Sequence, residues 1–277
     1  MLAKVHAFVL QGIDALPCEV EVDHAEKAER GPRPTIVGLP DTAVKESVDR
    51  IHSALYNCGY GFPEGRLVIN LAPADLRKEG NALELSVALG ILAVNRVFKA
   101  AGGGGGGGEV GRRDHKKYLV AGELALDGRV RPIKGALSMA MLAREMKKVG
   151  VILPADNAAE AAVVPGIEVI PVGTLSELVG FLNGELNLLP FHLDEQSIDP
   201  AIAADGKDFA EVRGQELAKR ALTIAAAGRH NLLLLGPPGA GKTMLCERLP
   251  SILPPLSRQE ALETSRVYSA CGLMPKG

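Results

Sequence analysis

Tryptophan is absent from this chain, and all aromatics together make up only 4% of it. Its core must therefore be built from Val, Leu, Ile and Ala rather than from large rings. Cysteine is scarce as well. Cys18, Cys58, Cys246 and Cys271 are widely spaced and form no C-x-x-C pair, which argues against a disulfide framework or a zinc knuckle and fits a reducing cytosol. No apolar run approaches about 18 residues, so no membrane-spanning helix is expected. The opening Met-Leu-Ala-Lys-Val-His-Ala has no signal-peptide layout, and a cytoplasmic location is expected. Neither charge sign dominates: the formal net charge is −2. That argues against a general basic field for nucleic acid, while a local basic stripe stays open. The six histidines (His6, His24, His52, His115, His192, His230) show no metal-ligand spacing.

The chain has 277 residues, 47% of them hydrophobic and 23% charged. That is ordinary globular composition and enough for about two domains. Its most informative stretch is Gly236-Pro237-Pro238-Gly239-Ala240-Gly241-Lys242-Thr243, preceded by Leu232, Leu233, Leu234 and Leu235. This is the G-x-x-x-x-G-K-T phosphate-binding loop, in the context of an expected buried strand feeding a helix. Glycines let the backbone turn tightly and approach a phosphate without a Cβ in the way. Backbone N–H groups, including those of the new helix near Met244, then face the anion. Lys242 reaches β- and γ-phosphates, and the Thr243 hydroxyl is the candidate magnesium ligand.

The rest of the chain alternates strand and helix signals. Residues 5–10, 20–24, 35–39 and 67–71 read as strands. Asp41 is an expected N-cap, followed by an apolar stripe at Val44, Val48, Ile51 and Leu55 and a stop at Gly59. Asn81 and Glu84 resemble a capping box ahead of a buried helix running to about Val97. Residues 118–126 and 130–133 flank Asp127-Gly128, a hairpin signal. A helix is expected over 135–148 with a stop at Gly150, strands over 151–153 and 167–172, and a helix over 175–183. These elements predict an α/β chain with an α+β first domain over 1–184, a linker over 185–208 and a second domain over 209–277. In the second domain a helix over 214–228 carries Leu217, Ala221 and Ile224 on one face. A last helix over 257–270 opens on a Ser257/Glu260 capping pair. Seven glycines at 102–108 have nothing to pack and are expected to form a loop. Arg112, Arg113, Lys116 and Lys117 beside them are the one local basic cluster and are expected to be solvated. So is the loop cluster of Asp75, Lys78 and Glu79, unless it meets a neighbouring subunit.

Three stretches carry a family resemblance: residues 39–50 around Leu-Pro-Asp-Thr-Ala-Val-Lys-Glu, residues 70–80 around Asn-Leu-Ala-Pro-Ala-Asp-Leu, and residues 208–245 from Asp-Phe-Ala-Glu-Val-Arg-Gly-Gln through the phosphate loop. Together they resemble the Mg-chelatase-like AAA+ ATPases, the ComM or YifB group. The resemblance spans nearly the whole chain. It implies an N-terminal Lon-protease-like domain of the ribosomal S5 domain 2-like fold, then an AAA+ module using ATP and Mg²⁺ and assembling into a ring, commonly a homo-hexamer. It also implies that Val212 and Gly214 line the adenine pocket. A DNA motor for branch migration is the leading activity implied. The alternatives are an ATPase subunit that drives metal insertion into a tetrapyrrole, and a nucleotide-controlled adaptor.

The Lon resemblance raises peptidase chemistry, which needs a Ser nucleophile beside a Lys base. The nucleophile motif aligns with Lys78-Glu79-Gly80-Asn81-Ala82-Leu83-Glu84, where Ala82 replaces the serine. The base motif aligns with residues 122–133 and places Leu137 where the lysine belongs. Ser86 and Lys134 lie nearby but out of register. No peptidase activity is expected. The chain reaches Gly277 without an Asp-Glu strand, sensor or arginine finger, so these 277 residues are not expected to hydrolyse ATP unaided, whereas the full-length protein is.

Overall fold

The structure is a computed structural model, and it describes residues 1–25, 34–98, 113–193 and 207–274. The glycine run, Arg112 and most of the expected linker lie outside the described residues. The chain divides into two compact units, residues 1–193 with 263–277, and residues 194–262.

The first unit is mixed α/β. Strands β1 (Leu2–Gln11), β2 (Asp14–Ala25), β3 (Thr35–Val37) and β4 (Arg66–Ala72) form a four-stranded sheet in the order β1-β2-β4-β3. β1 and β4 pair antiparallel with β2, and β3 runs parallel to β4. Alternation sets the register: Val5, Ala7, Val20, Val22, Leu67, Ile69 and Leu71 all turn to the core, while Lys4, Glu19 and Glu21 face out and pair at 2.7 Å. Helix α1 (Thr42–Asn57) starts where expected, with Asp41 Oδ1 accepting from Val44 N at 2.8 Å. Its stripe of Val44, Val48, Ile51 and Leu55 is buried. Helix α2 (Glu84–Val94) is covered on nearly every side.

A three-stranded parallel sheet, β5-β8-β9, comes from β5 (Tyr118–Val120), β8 (Gly150–Pro154) and β9 (Glu168–Val172). Helices α3 (Ala136–Glu145), α4 (Ala158–Ala162) and α5 (Leu175–Asn183) accompany it. The hairpin β6 (Glu123–Leu124) to β7 (Val130–Arg131) closes around Asp127-Gly128, with Gly128 at φ +83°.

Several expectations are corrected here. Asn81 does not cap α2. Glu84, which would reach back to the cap, is instead bound by the Arg50 guanidinium and by Leu124 N. The helix also ends at Val94, not Val97. Residues 118–126 are not one strand: 118–120 join the parallel sheet and only 123–124 enter the hairpin. α3 ends at Glu145, and Lys147 at φ +54° turns the chain before Lys148. Lys78 is not in a solvated loop. It is fully buried, with its ammonium donating to the Pro73 carbonyl.

The second unit carries α6 (Glu216–Gly228), α7 (Lys242–Arg248) and the start of α8 (Arg258–Cys271), which continues into the first unit. Its small core is Val212, Leu222 and Leu245, with Phe209, Leu234, Leu249 and Ile252 against it. The face expected on α6 is the wrong one: Leu222, Ala225 and Ala226 are buried while Leu217 is 85% exposed. The strand expected before the phosphate loop is also not formed. Residues 231–237 hold no ladder partner, and Leu233 and Leu235 stand 78% and 85% exposed. A strand forms only where a neighbouring strand takes up its backbone N–H and C=O groups, and none of the described strands reaches this segment. The Ser257/Glu260 capping box is present, with Ser257 N donating to Glu260 Oε2 at 2.9 Å. The Ser257 hydroxyl, its N–H and Arg229 hold the Glu260 carboxyl down to about 2.

Candidate functional site

Residues 236–241 form an exposed loop that runs directly into α7. Gly239 and Gly241 take φ +80° and +79°, the left-handed region that L side chains avoid. A Cβ at Gly239 would meet nothing within 4 Å, so glycine is needed there for backbone shape and not for room. A turn closes from Ala240 N to Pro237 O at 3.3 Å. The Lys242 ammonium curls back over this turn, donating to the carbonyls of Gly236 at 2.9 Å and Pro237 at 2.8 Å. A cation is thus held over the mouth of a glycine loop. Thr243 is exposed on the first turn of α7, and Leu245 anchors that helix in the core. Met244 is partly exposed, and its carbonyl accepts from Arg248 Nη1 at 3.3 Å.

Of the two residues expected near the adenine, Val212 is 1% exposed and its side chain belongs to the Val212–Leu222–Leu245 cluster. Gly214 sits in a left-handed turn at φ +68°, and a Cβ there would meet nothing within 4 Å. The turn leads into Gln215, whose Nε2 donates to Ala240 O at 3.4 Å. Segment 208–215 and the phosphate loop are thereby brought together. Two contacts there, Gln215 with Ala240 and Glu211 with Arg248, had no local signal. They join residues 25 and 37 positions apart, so only the fold could reveal them.

In the first unit the positions expected to correspond to a Ser-Lys dyad hold Ala82 and Leu137. Ala82 offers only its carbonyl, which accepts from Gly122 N at 2.9 Å. Leu137 is buried, and its N–H donates to Glu160 Oε1 at 3.0 Å. Ser86 is buried with its hydroxyl committed to Val120 O at 2.6 Å. Asn157 bonds both backbone atoms of Ile133, at 2.9 and 3.0 Å, and clamps the loop before α3.

The fold and this loop define a mixed α/β chain with a P-loop sequence at the head of a helix. Comparison with known proteins gives the family. Residues 20–157 match the family described as Subunit ChlI of Mg-chelatase, and residues 208–277 match Magnesium chelatase, subunit ChlI. A protein named YifB from Salmonella typhimurium is 41% identical over 268 residues, covering 97% of this chain and 49% of its own. Competence protein ComM from Haemophilus influenzae is 41% identical over 272 residues, covering 97% and 50%. An uncharacterised Mycobacterium tuberculosis protein is 38% identical over 273 residues, covering 99% and 50%. The chain belongs to the Mg-chelatase-like ComM/YifB group. It spans about half the length of the curated relatives it matches. No helix among the described residues is long and apolar enough to cross a membrane.

Proposed function

We propose that the whole protein is an AAA+ ATPase that binds ATP with Mg²⁺ at residues 236–244, assembles as a homo-hexameric ring and acts as a motor on DNA in the cytoplasm. The observation that carries this reading is the Lys242 ammonium poised over a loop whose Gly239 and Gly241 hold left-handed backbone. That arrangement suits a polyphosphate. A chain of negative oxygens can replace the two loop carbonyls as acceptors for Lys242, and charge-assisted bonds are the stronger ones. The Thr243 hydroxyl would ligand the metal, the loop N–H groups would hold phosphate oxygens, and Val212 and Gly214 would lie near the base. The bound nucleotide would supply the energy of phosphoanhydride cleavage. The residues of this chain bind and orient it.

The name of the ComM relative points to competence and thus to DNA as the track. The first unit, read as a Lon-like, S5 domain 2-like fold, would be a scaffold without peptidase activity, because Ala82 and Leu137 occupy the dyad positions. A second reading, an ATPase subunit for metal insertion into a tetrapyrrole, is favoured by the description of both matched families as a Mg-chelatase subunit.

Phosphate release by the full-length protein separates the two. Stimulation by forked DNA, absent with linear duplex and lost in Lys242→Ala, is the expected result. Turnover indifferent to every DNA but raised by a porphyrin-binding partner would overturn the motor in favour of the chelatase.

A further inference from the structure

Residues 208–215 lie against the phosphate loop and α7 as a strap, fastened at four levels. Phe209 N donates to Ser251 Oγ at 3.0 Å, just past the far end of α7. Glu211 Oε2 accepts from both Nε and Nη2 of Arg248, the last residue of α7, at 3.0 and 2.7 Å, a charge-assisted pair of bonds converging on one oxygen. Val212 packs beside Leu245 in the middle of the helix. Gln215 completes the strap at the loop itself, with its Nε2 on Ala240 O and 3.0 Å from where a Cβ of Gly241 would stand. Gln215 holds φ +54°, unusual for a residue with a side chain. Its carbonyl meanwhile accepts Lys219 N at 3.0 Å and so starts α6. Backbone of this kind persists only where the surroundings over-determine it.

We infer that Gln215 is a positioning residue for the phosphate loop, its amide holding the Ala240–Gly241 peptide while the Glu211–Arg248 pair anchors the same strap at the other end of α7. The inference rests on the reading of residues 236–243 as a nucleotide site. In a trans peptide the C=O and N–H point in opposite directions. Holding Ala240 O toward Gln215 therefore directs Gly241 N–H away from it. Gly241 has no side chain to restrict that peptide, so the constraint has to come from outside the loop. Donors already aimed before binding avoid an ordering cost when the ligand arrives.

The test uses Mg-ATP with the full-length protein. Gln215→Asn tolerates the left-handed backbone but its amide falls short. Gln215→Glu keeps the length, but its carboxylate cannot donate to a carbonyl. Both variants are expected to raise Kd and KM roughly three- to tenfold, the size of one neutral hydrogen bond. The kcat should stay within about twofold, and the thermal midpoint without nucleotide should be unchanged. Combining Gln215→Asn with Arg248→Lys, which removes the Nε–Nη2 donor pair on Glu211, should weaken binding less than additively, because one strap is loosened twice. Wild-type affinity in both Gln215 variants, with Lys242→Ala defective, would overturn the inference. So would a fall in the nucleotide-free midpoint that parallels the affinity loss, since that marks a merely structural role. Wild-type affinity in Lys242→Ala would instead overturn the nucleotide site.

Discussion

Lys242 and Pro237 face each other across the phosphate loop, with the ammonium donating to the carbonyl at 2.8 Å and to the neighbouring Gly236 carbonyl at 2.9 Å. A cation is thus stored against two neutral acceptors that an anion can outcompete. Lys242→Ala is expected to weaken Mg-ATP binding by about 10- to 100-fold, the worth of a hydrogen bond to a charged group. Stability should change by less than about 0.5 kcal/mol, because the contact is exposed. Calorimetric titration and a thermal melt check the two halves.

The Arg50–Glu84 pair joins α1 to α2 with the carboxylate 1% exposed, its second oxygen accepting Leu124 N at 2.7 Å. Removing one partner leaves a buried donor and an unpaired charge. Glu84→Ala is expected to cost about 3 kcal/mol, read as a shift in the urea midpoint with unchanged slope.

His6 and His115 are both held below the ordinary imidazole value of 6.5, by burial first. At His6 the cations Lys148 and Lys116 add to this while Glu19 opposes it. At His115 the Lys4 carbonyl and Asp114 oppose it. A depressed imidazole means that the unfolded chain takes up protons first. The stability is therefore present above the unfolded value and lost as pH falls below about 6.5. Melts at stepped pH should show that slope, and a His6→Asn/His115→Asn double variant should flatten it. An equal slope in the double variant would remove these groups as its cause.

Gly38 and Gly12 separate conformational need from space. Both have positive φ, +100° and +63°, but a Cβ at Gly38 would collide with the Leu71 carbonyl whereas one at Gly12 meets open space. Gly38→Ala is expected to cost about 2–4 kcal/mol, and Gly12→Ala about 1 kcal/mol. Equal losses in denaturant titrations would contradict this.

Leu233 and Leu235 are the most solvent-facing residues of their apolar run. Leu233→Ser with Leu235→Ser is expected to leave the melting of this chain unchanged and to raise its solubility, because little apolar area is withdrawn from water here. A drop of several degrees would show that the run is packed.

Legibility varied with the range of the interactions. The cap at Asp41 and the stripe of Val44, Val48, Ile51 and Leu55 depend on neighbours three and four residues away, so they could be read directly. The strands of the first sheet were legible through alternation at Val20 and Val22. Lys78 departs from a solvated setting for another reason. Lysine composition says surface, yet the loop after β4 folds its ammonium onto Pro73 O. The buried face of α6 is not legible locally, because Leu217, Ala221 and Ile224 make as good a stripe as Leu222, Ala225 and Ala226, and only the position of Leu245 and Val212 selects between them.

By itself the sequence determined the glycine-lysine-threonine loop, the helices with local caps and the presence of alanine at position 82 and leucine at position 137, since each depends on residue identity or on contacts within a turn. Tertiary structure alone decided that Glu84 turns inward to Arg50 and that Gln215 and Glu211 reach across to the loop and its helix. Those contacts close over tens of residues, where spacing along the chain carries no information about distance in space.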